Sequence, residues 1–391
     1  MISMTSQNFE KPTIFIFSTA YLPMVGGAEL AIKEINDRLS DYFDFVVFTS
    51  RFRRAYPKHE KLGAVEVYRL GFGMPFDKYL LPILAYFKAR KVIRTFRRPL
   101  LWGMMASYGS IAAYFLKRRN PGFSFLLTLQ EGDPEEYLVS GRLGLMGFWF
   151  KKIVSRADRV QVISKYLGEL AIKLGADKEA VDIVPNGVDI NVFARDFPAE
   201  DLKNLRLRYG FSSNSKAIIT ASRLVHKNAV DIIIKAVAEI PEAHLFIAGS
   251  GPEEKSLRRL AQKLNIQNRI LFLGNVSHDE LSRYYAISHV FVRPSRSEGL
   301  GSAFLEAMAA GLPVIGTKVG GIPDILQHNF NGLFCEVDDA EDLVQKIKRL
   351  VHDLDFGRNL GLNGRRLVEE NYSWDKIAQR MSSIFFRLLR P

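Results

Sequence analysis

Residues 298–311 read EGLGSAFLEAMAAG, and a short apolar run lies on either side: Val290, Phe291 and Val292 before it, Val314 and Ile315 after it. Gly299 and Gly301 keep the start of the stretch bare. Apolar residues then recur at helical spacing as far as Gly311, a residue type that ends helices. Strand, glycine loop, helix and strand together form the unit of a parallel sheet covered on both faces.

The same alternation runs outward in both directions. Towards the C-terminus a helix is expected from 341 to about 351. Upstream, strands are expected at 216–220, 244–248 and 270–273, with helices at 230–240, 253–264 and 279–286 between them. Residues 191–211 are polar and lack an apolar strand, so the domain boundary is placed there. Before it, strands are expected at 13–18, 45–49, 65–70, 123–129, 159–163 and 181–184. Helices are expected at 107–118 and 143–155, with a partly helical basic stretch at 77–98. The fold class is α/β, with two Rossmann-like doubly wound parallel-sheet domains facing each other across a cleft. The domains span 1–190 and 191–371, and ligand is expected at the carboxyl ends of their strands.

Bulk composition agrees with this. The 391 residues suit two domains of ordinary size. Hydrophobic content of 47% and charged content of 25% exclude a disordered or fibrous chain. The single Cys335 allows no internal disulfide and points to a reducing compartment. Residues 1–12 are polar, unlike a signal peptide, and no apolar run is long enough to span a bilayer. A cytoplasmic location is expected.

Three constellations could carry chemistry. In the first, Glu298 and Glu306 bracket Gly299, Leu300, Gly301 and Ser302. A helix capped by Ser302 would point free N–H groups at an anion such as a diphosphate. Glu306, one turn in, could accept hydrogen bonds from ribose hydroxyls, and Glu298 could reach a sugar. The second is Arg223 and Lys227 in ASRLVHK, at the end of an expected strand. A fixed guanidinium and a flexible ammonium can hold a diphosphate and neutralise charge as it leaves. The third, Gly26-Gly27, sits at the first strand-to-helix turn. Glycine pairs are common in turns, so it is the weakest of the three. No G-x-G-x-x-G or Walker A motif occurs, and the seven His lack metal-ligand spacing.

These blocks together resemble a family-4 retaining glycosyltransferase of the GT-B fold. The resemblance rests on the glycine loop at 23–29, VISKYL at 162–167, VPNGVD at 184–189, ASRLVHK at 221–227 and LFIAGSGP at 245–252. It continues through LGNVSHDEL at 273–281, RPSRSEGLGSAFLEAMAAGLPVIGTKVGGIPDI at 293–325 and NYSW at 371–374. It implies a nucleotide diphosphate sugar as donor, with Arg223 and Lys227 on the diphosphate and Glu306 on the ribose. Glu298 would contact the transferred sugar, and backbone at Leu300–Ser302 would support sugar and phosphate. Backbone at Asn275 and Val276 would meet the base, and Gly26 and Gly27 would face the phosphates. No cofactor or bound metal is implied. The last segment, 372–391, would cross back onto the first domain. The implied activity is transfer of a hexosyl-type sugar to a hydroxyl of a glycan or lipid-linked acceptor, in the synthesis of surface polysaccharide or glycolipid. Another GT-B nucleotide-sugar enzyme, an epimerase or a glycogen-synthase-like protein, stays open as an alternative. So does a non-catalytic sugar- or membrane-binding scaffold.

One position departs from the pattern. Family members often carry a His where this chain has Gln130, in TLQEGDP. Gln can hydrogen-bond a sugar hydroxyl but cannot titrate. Glu131, Asp133, Glu135 and Glu136 follow, and are expected to form a solvated acidic loop with an acceptor-side base as the alternative.

Net charge is +12, unevenly spread. No acidic residue lies between Asp77 and Glu131, a span holding Lys78, Lys88, Arg90, Lys91, Arg94, Arg97, Arg98, Lys117, Arg118 and Arg119. Phe72, Phe76, Tyr79, Tyr86, Phe87, Phe96 and Trp102 lie in or beside it. The basic region 78–119 is expected either to rest on an anionic membrane, at its inner face, or to be a solvated basic face whose aromatics are core. No nucleic-acid motif accompanies it, and nucleic acid is not expected as a partner.

Overall fold

A computed structural model of the chain describes residues 11–24, 26–94, 96, 99–140, 145–212 and 214–390. Arg97, Arg98 and the start of the helix expected at 143 lie outside them.

The described residues form two sheets. The first contains β1 (Thr13–Phe17), β2 (Asp44–Ser50), β3 (His59–Leu62), β4 (Val65–Leu70), β5 (Leu100–Met104), β6 (Ser124–Leu129), β7 (Arg159–Val162) and β8 (Val181–Ile183). Their order is β3-β4-β2-β1-β5-β6-β7-β8, parallel except for β3 against β4. The second contains β9 (Lys216–Ala221), β10 (Ala243–Ala248), β11 (Ile270–Gly274), β12 (Val290–Arg293), β13 (Val314–Thr317) and β14 (Gly332–Cys335). Their order is β11-β10-β9-β12-β13-β14, all parallel. Chain direction across each sheet reverses once, between β1 and β5 and between β9 and β12. A crevice opens at such a switch point, because neighbouring connections leave in opposite directions.

The central strands of both sheets are apolar and buried on both faces, while β3, β4 and β8, towards the edges of the first sheet, are partly polar or exposed. Phe15, Phe17, Leu101, Phe125 and Leu127 lie on one side of the first sheet. Ile14, Ile16, Trp102 and Leu126 lie on the other. That second side is covered partly by the helix Trp374–Leu389, whose Trp374, Ile377, Ala378, Met381, Ile384 and Phe385 form a buried helical stripe. Phe385 meets Trp102 and Phe43 edge-on at 5.2 and 5.6 Å between ring centroids.

Some elements are absent from the sequence pattern. β5 has all five residues buried and so no alternation, and Gly103 interrupts it. β14 is four residues long. The sequence pattern marks neither the helix Lys165–Lys173 nor Leu354–Asn371, which carries Gly357, Gly361 and Gly364, poor helix formers. Packing explains Gly361: a Cβ there would fall 2.0 Å from the Gly311 carbonyl oxygen. The bare glycine lets this helix lie against Ser302–Ala309, the helix that carries Glu306.

Gly361→Val should therefore cost roughly 1–3 kcal/mol, because backbone cannot move aside as a side chain can. Gly122→Ala, whose new methyl meets nothing within 4 Å, should stay within about 0.5 kcal/mol. Urea unfolding of the two variants measures the difference.

Candidate donor-sugar site

The loops leaving β9 and β12 meet at the switch point of the second sheet. The loop after β9 carries Arg223 and Lys227. Its backbone is fixed by Leu224 N–H donating to Ser250 O at 3.0 Å and Ser222 N–H to Ala248 O at 2.9 Å. Asn228 ties it further, donating from Nδ2 to Arg223 O at 2.6 Å. The Arg223 side chain is exposed, and its guanidinium makes no hydrogen bond or ion pair among the described residues. Lys227 is partly covered, with Nζ 2.9 Å from Asp133 Oδ1 of the first domain.

At the end of β12, Arg293 donates to Asn228 Oδ1 at 3.2 Å and pairs with Glu298 Oε2 at 2.5 Å. Glu298 Oε1 also accepts its neighbour's N–H, from Gly299 at 3.0 Å. The Glu298 carboxylate is therefore held on two sides, with only about an eighth of its side chain exposed. Arg293 and Asn228 escaped the sequence reading. The available signal was a cation closing an otherwise apolar strand, VFVR.

The helix Ser302–Ala309 begins one residue earlier than expected. Its N-cap is Gly301, at φ +93, and Ser302 is the first helical residue. A Cβ on Gly301 would also strike the Phe304 ring at 2.7 Å, so a serine cap has neither the dihedral nor the space. With no capping side chain, the first N–H groups of the helix stay free for a ligand. Glu306 lies mostly buried in its second turn, with Tyr285 Oη donating to Oε2 at 3.5 Å. Burial pushes its carboxyl up to about 7, against the pull of Arg293 and the Tyr285 hydrogen bond.

Leu300 is buried beneath the loop, while Asn275 is exposed and accepts from Ser250 Oγ at 2.9 Å. Val276, beside it, is partly buried. Gly26 is the N-cap of the helix Gly27–Leu39 in the first domain, in extended conformation and without a capping side chain. A Cβ on Gly27 would meet nothing within 4 Å.

The TLQEGDP loop crosses to meet this site. Ser297 Oγ donates to Gly132 O at 3.1 Å. A Cβ on Gly299 would sit 2.7 Å from Glu131 O. Gln130 exchanges two hydrogen bonds with the Asn186 amide, each 3.1 Å, which uses half of its capacity. The expectation of a solvated acidic loop fails at Glu131, which is 5% exposed. Its Oε1 accepts the Ala106 N–H at 2.8 Å. Burial pushes its carboxyl up to about 7, against the backbone hydrogen bonds that hold it.

Comparison with known proteins fits this geometry. The model of glycosyl transferases group 1 matches residues 203–367, and that of glycosyltransferase family 4 matches 25–192. The chain belongs to the family-4 glycosyltransferases. Among its relatives is the N-acetyl-α-D-glucosaminyl L-malate synthase of Bacillus anthracis, 28% identical over 94% of this chain and 96% of that one. A GDP-mannose-dependent α-(1-6)-phosphatidylinositol monomannoside mannosyltransferase of Mycobacterium tuberculosis is 31% identical over 59% of this chain and 62% of its own length. In fold, sucrose-phosphate synthase from Thermosynechococcus elongatus superposes with a TM-score of 0.85 at 23% identity, covering 97% of this chain and 99% of that one. Anabaena HepE in complex with UDP and glucose superposes with a TM-score of 0.78 at 20% identity, covering 96% and 100%. The two facing sheets are the GT-B fold, and the enzyme is a glycosyltransferase.

The family motifs do not account for Glu131, and its charge has a testable consequence. Its folded-state pKa lies above the unfolded value of about 4.5. Its contribution to stability is therefore intact below about pH 4.5, declines as pH rises towards 7, and is lost above that. A rise from 4.5 to about 7 corresponds to at most about 3 kcal/mol. Glu131→Gln keeps an oxygen for the Ala106 N–H and removes the charge. Relative to the parent, it should gain more thermal stability at about pH 8 than at about pH 4.5. A gain or loss of equal size at both pH values in thermal unfolding would refute this.

Proposed function

We propose that the protein is a retaining glycosyltransferase that moves a hexosyl-type sugar from a nucleotide diphosphate sugar to a hydroxyl of a glycan or lipid-linked acceptor. The observation that carries this reading is the gathering of unlike charges at the β9–β12 switch point. Arg223 and Lys227 lie on one loop, Glu298 lies on the next, and Glu306 lies in the helix that follows it, with the uncapped helix start at Ser302 between the two glutamates.

Each group has a defined task. Arg223, Lys227 and the free N–H groups of the helix take the diphosphate and the charge that grows on it as it leaves. Glu306 accepts the ribose hydroxyls, with Tyr285 donating to its carboxyl and the Arg293 charge nearby. Glu298 accepts from a hydroxyl of the transferred sugar, with Leu300 to Ser302 supporting sugar and phosphate through backbone. Asn275 and Val276 face the base, and Gly26 and Gly27 approach the phosphates from the other domain. Gln130 has one N–H and one acceptor position left to offer the sugar. In the step itself the bond from C1 to the diphosphate oxygen breaks, and a bond from the acceptor oxygen to C1 forms on the same face. The acceptor proton passes to the departing phosphate. The cations and helix terminus neutralise the leaving group, so we propose no resident metal or cofactor.

Relatives differ in donor. One is named for GDP-mannose, and a structural neighbour was solved with UDP and glucose. Thermal-shift screening against UDP-, GDP- and ADP-sugars identifies the donor, since the tightest binder raises the melting temperature most. Glu306→Ala, Arg223→Ala and Lys227→Ala should each cut transfer by roughly 100-fold or more while the fold persists by circular dichroism. Near-normal activity in all three would refute the site.

A lipid-linked acceptor is favoured by one surface of the first domain. Pro82, Ile83, Tyr86, Phe87, Phe115, Arg118 and Arg119 line an open groove of about 510 Å³. Ile83 and Phe87 are 61% and 57% exposed, so these side chains are not core; of the flanking aromatics, Trp102 is fully buried. Lys117 is withdrawn from the basic face by pairing with Asp158 at 2.8 Å. No helix among the described residues is long and apolar enough to cross a membrane. We place the enzyme in the cytoplasm, resting peripherally on an anionic inner leaflet through this face. Flotation with anionic liposomes at low salt should carry the protein upward, and Ile83→Asp with Phe87→Asp should abolish it. Equal flotation with neutral liposomes, or none, would sink this part of the reading.

A further inference from the structure

The Lys227 ammonium and the Asp133 carboxylate stand 2.9 Å apart, each on a loop that leaves the carboxyl end of a strand, β9 in one domain and β6 in the other. Their neighbours mark the spot. A Cβ on Gly132 would lie 3.3 Å from Lys227 Nζ, 3.1 Å from Gly299 N and 3.6 Å from Glu298 Oε1. The carboxylate therefore meets its cation within a few ångströms of the loop that leads into the uncapped helix. Neither partner is deeply buried, with 31% of the lysine side chain and 46% of the aspartate side chain exposed. A competing anion can reach both.

We propose that Asp133 is a competing counter-ion for the donor diphosphate at Lys227, and so sets how tightly the enzyme holds nucleotide. This rests on reading Lys227 as a diphosphate ligand. A phosphate arriving at Lys227 must share the ammonium with Asp133 or displace it. Two anions on one cation repel each other, so the aspartate weakens donor and nucleoside diphosphate alike. Weaker retention of the spent nucleotide eases its departure after transfer, a step that limits many enzymes with closing domains. The adjoining contacts keep the loop in place when the pair opens. Gln130 stays bonded to Asn186, Glu131 to Ala106 N–H and Gly132 O to Ser297. Asp133 can therefore swing away without the joint between the domains coming apart. It acts through Lys227, as a positioning residue, with no contact of its own to the sugar required.

The size of the effect follows from exposure. A partly exposed ion pair contributes the equivalent of about a two- to five-fold change in an equilibrium constant. Calorimetric titration of UDP, GDP and ADP into the full-length protein tests this. With whichever of these the parent binds, Asp133→Asn should bind about two- to five-fold tighter at low salt, and the gain should shrink as salt is raised. Asp133→Glu, which keeps the charge, should behave like the parent. In a Lys227→Ala background, Asp133→Asn should change nothing, since its target is gone. In transfer assays Asp133→Asn should lower the donor KM while kcat does not rise. Unchanged or weaker nucleotide binding by Asp133→Asn overturns the inference, as does an equal effect with and without Lys227. If Lys227→Ala alone leaves nucleotide binding untouched, the reading of Lys227 has failed first, and the two failures are told apart.

Discussion

Two backbones touch at the centre of this enzyme because no Cβ intervenes. A side chain on Gly299 would be 2.7 Å from the Glu131 carbonyl, and one on Gly320 would be 1.7 Å from the Glu298 carbonyl. Loop ends from the two sheets close on each other at van der Waals distance, and the positions of the charged groups follow. Lys227 reaches Asp133, Ser297 reaches Gly132, and Glu298 is pinned between Arg293 and its neighbour's N–H. With bulk at Gly299, the β12 loop would stand off from the first domain, and a ligand between the sheets would face water on one side; bulk at Gly320 would instead drive the β12 and β13 loops of the second domain apart.

Within that joint the carboxylates are treated differently. Glu298 is paired with a guanidinium, which stabilises a negative charge near the start of the helix. Glu306 and Glu131 are buried with weaker support, and both are pushed up to about 7. Burial disfavours an anion unless a cation or several N–H groups answer it, and only Glu298 has a full ion pair. Glu306 nevertheless sits where a sugar hydroxyl could answer it, in the second turn of a helix with free N–H groups at its head. Glu131 is answered only by backbone N–H groups, Ala106 foremost, and its second oxygen has no hydrogen-bond partner among the described residues. The two glutamates therefore differ in their surroundings: Glu306 follows the free start of its helix, and Glu131 lies beneath the Ala106 loop.

Much of the fold was legible because apolar residues recur at strand or helix spacing wherever one face of an element is buried. The expected 65–70 strand falls on Val65–Leu70, and the helix expected at 253–264 falls on Glu254–Lys263. What escaped had physical reasons. β5 is a fully buried strand with Trp102 and Gly103 at its centre, so neither alternation nor β-branched content marks it. The helix Leu354–Asn371 hides behind three glycines that exist for close packing. The sequence offers Ser302 as the cap, whereas the cap is Gly301, chosen by dihedral angle and by the Phe304 ring, and neither is visible in a string of letters. Glu131 read as one of four surface acids. Its burial comes from a loop at Ala106 that lies 25 positions away in the chain.

The charged site of the second domain and the groove of the first were unequally legible for a chemical reason. A diphosphate and a ribose demand fixed charges and hydroxyl acceptors at one helix start, so residue types and spacing carry the information. An acceptor hydroxyl demands only a surface that holds the rest of its molecule, and such a surface is assembled from distant segments. The groove of the first domain draws on the helix Asp77–Ile93 for Ile83 and Phe87 and on Tyr108–Arg119 for Phe115 and Arg118. Neither helix alone displays it: the first has five evenly spread buried residues, the second a run of small buried ones. Only their packing against each other turns exposed aromatics and arginines into one face. The groove of the first domain is therefore a product of packing, while the charged site of the second domain is written into one short stretch of sequence.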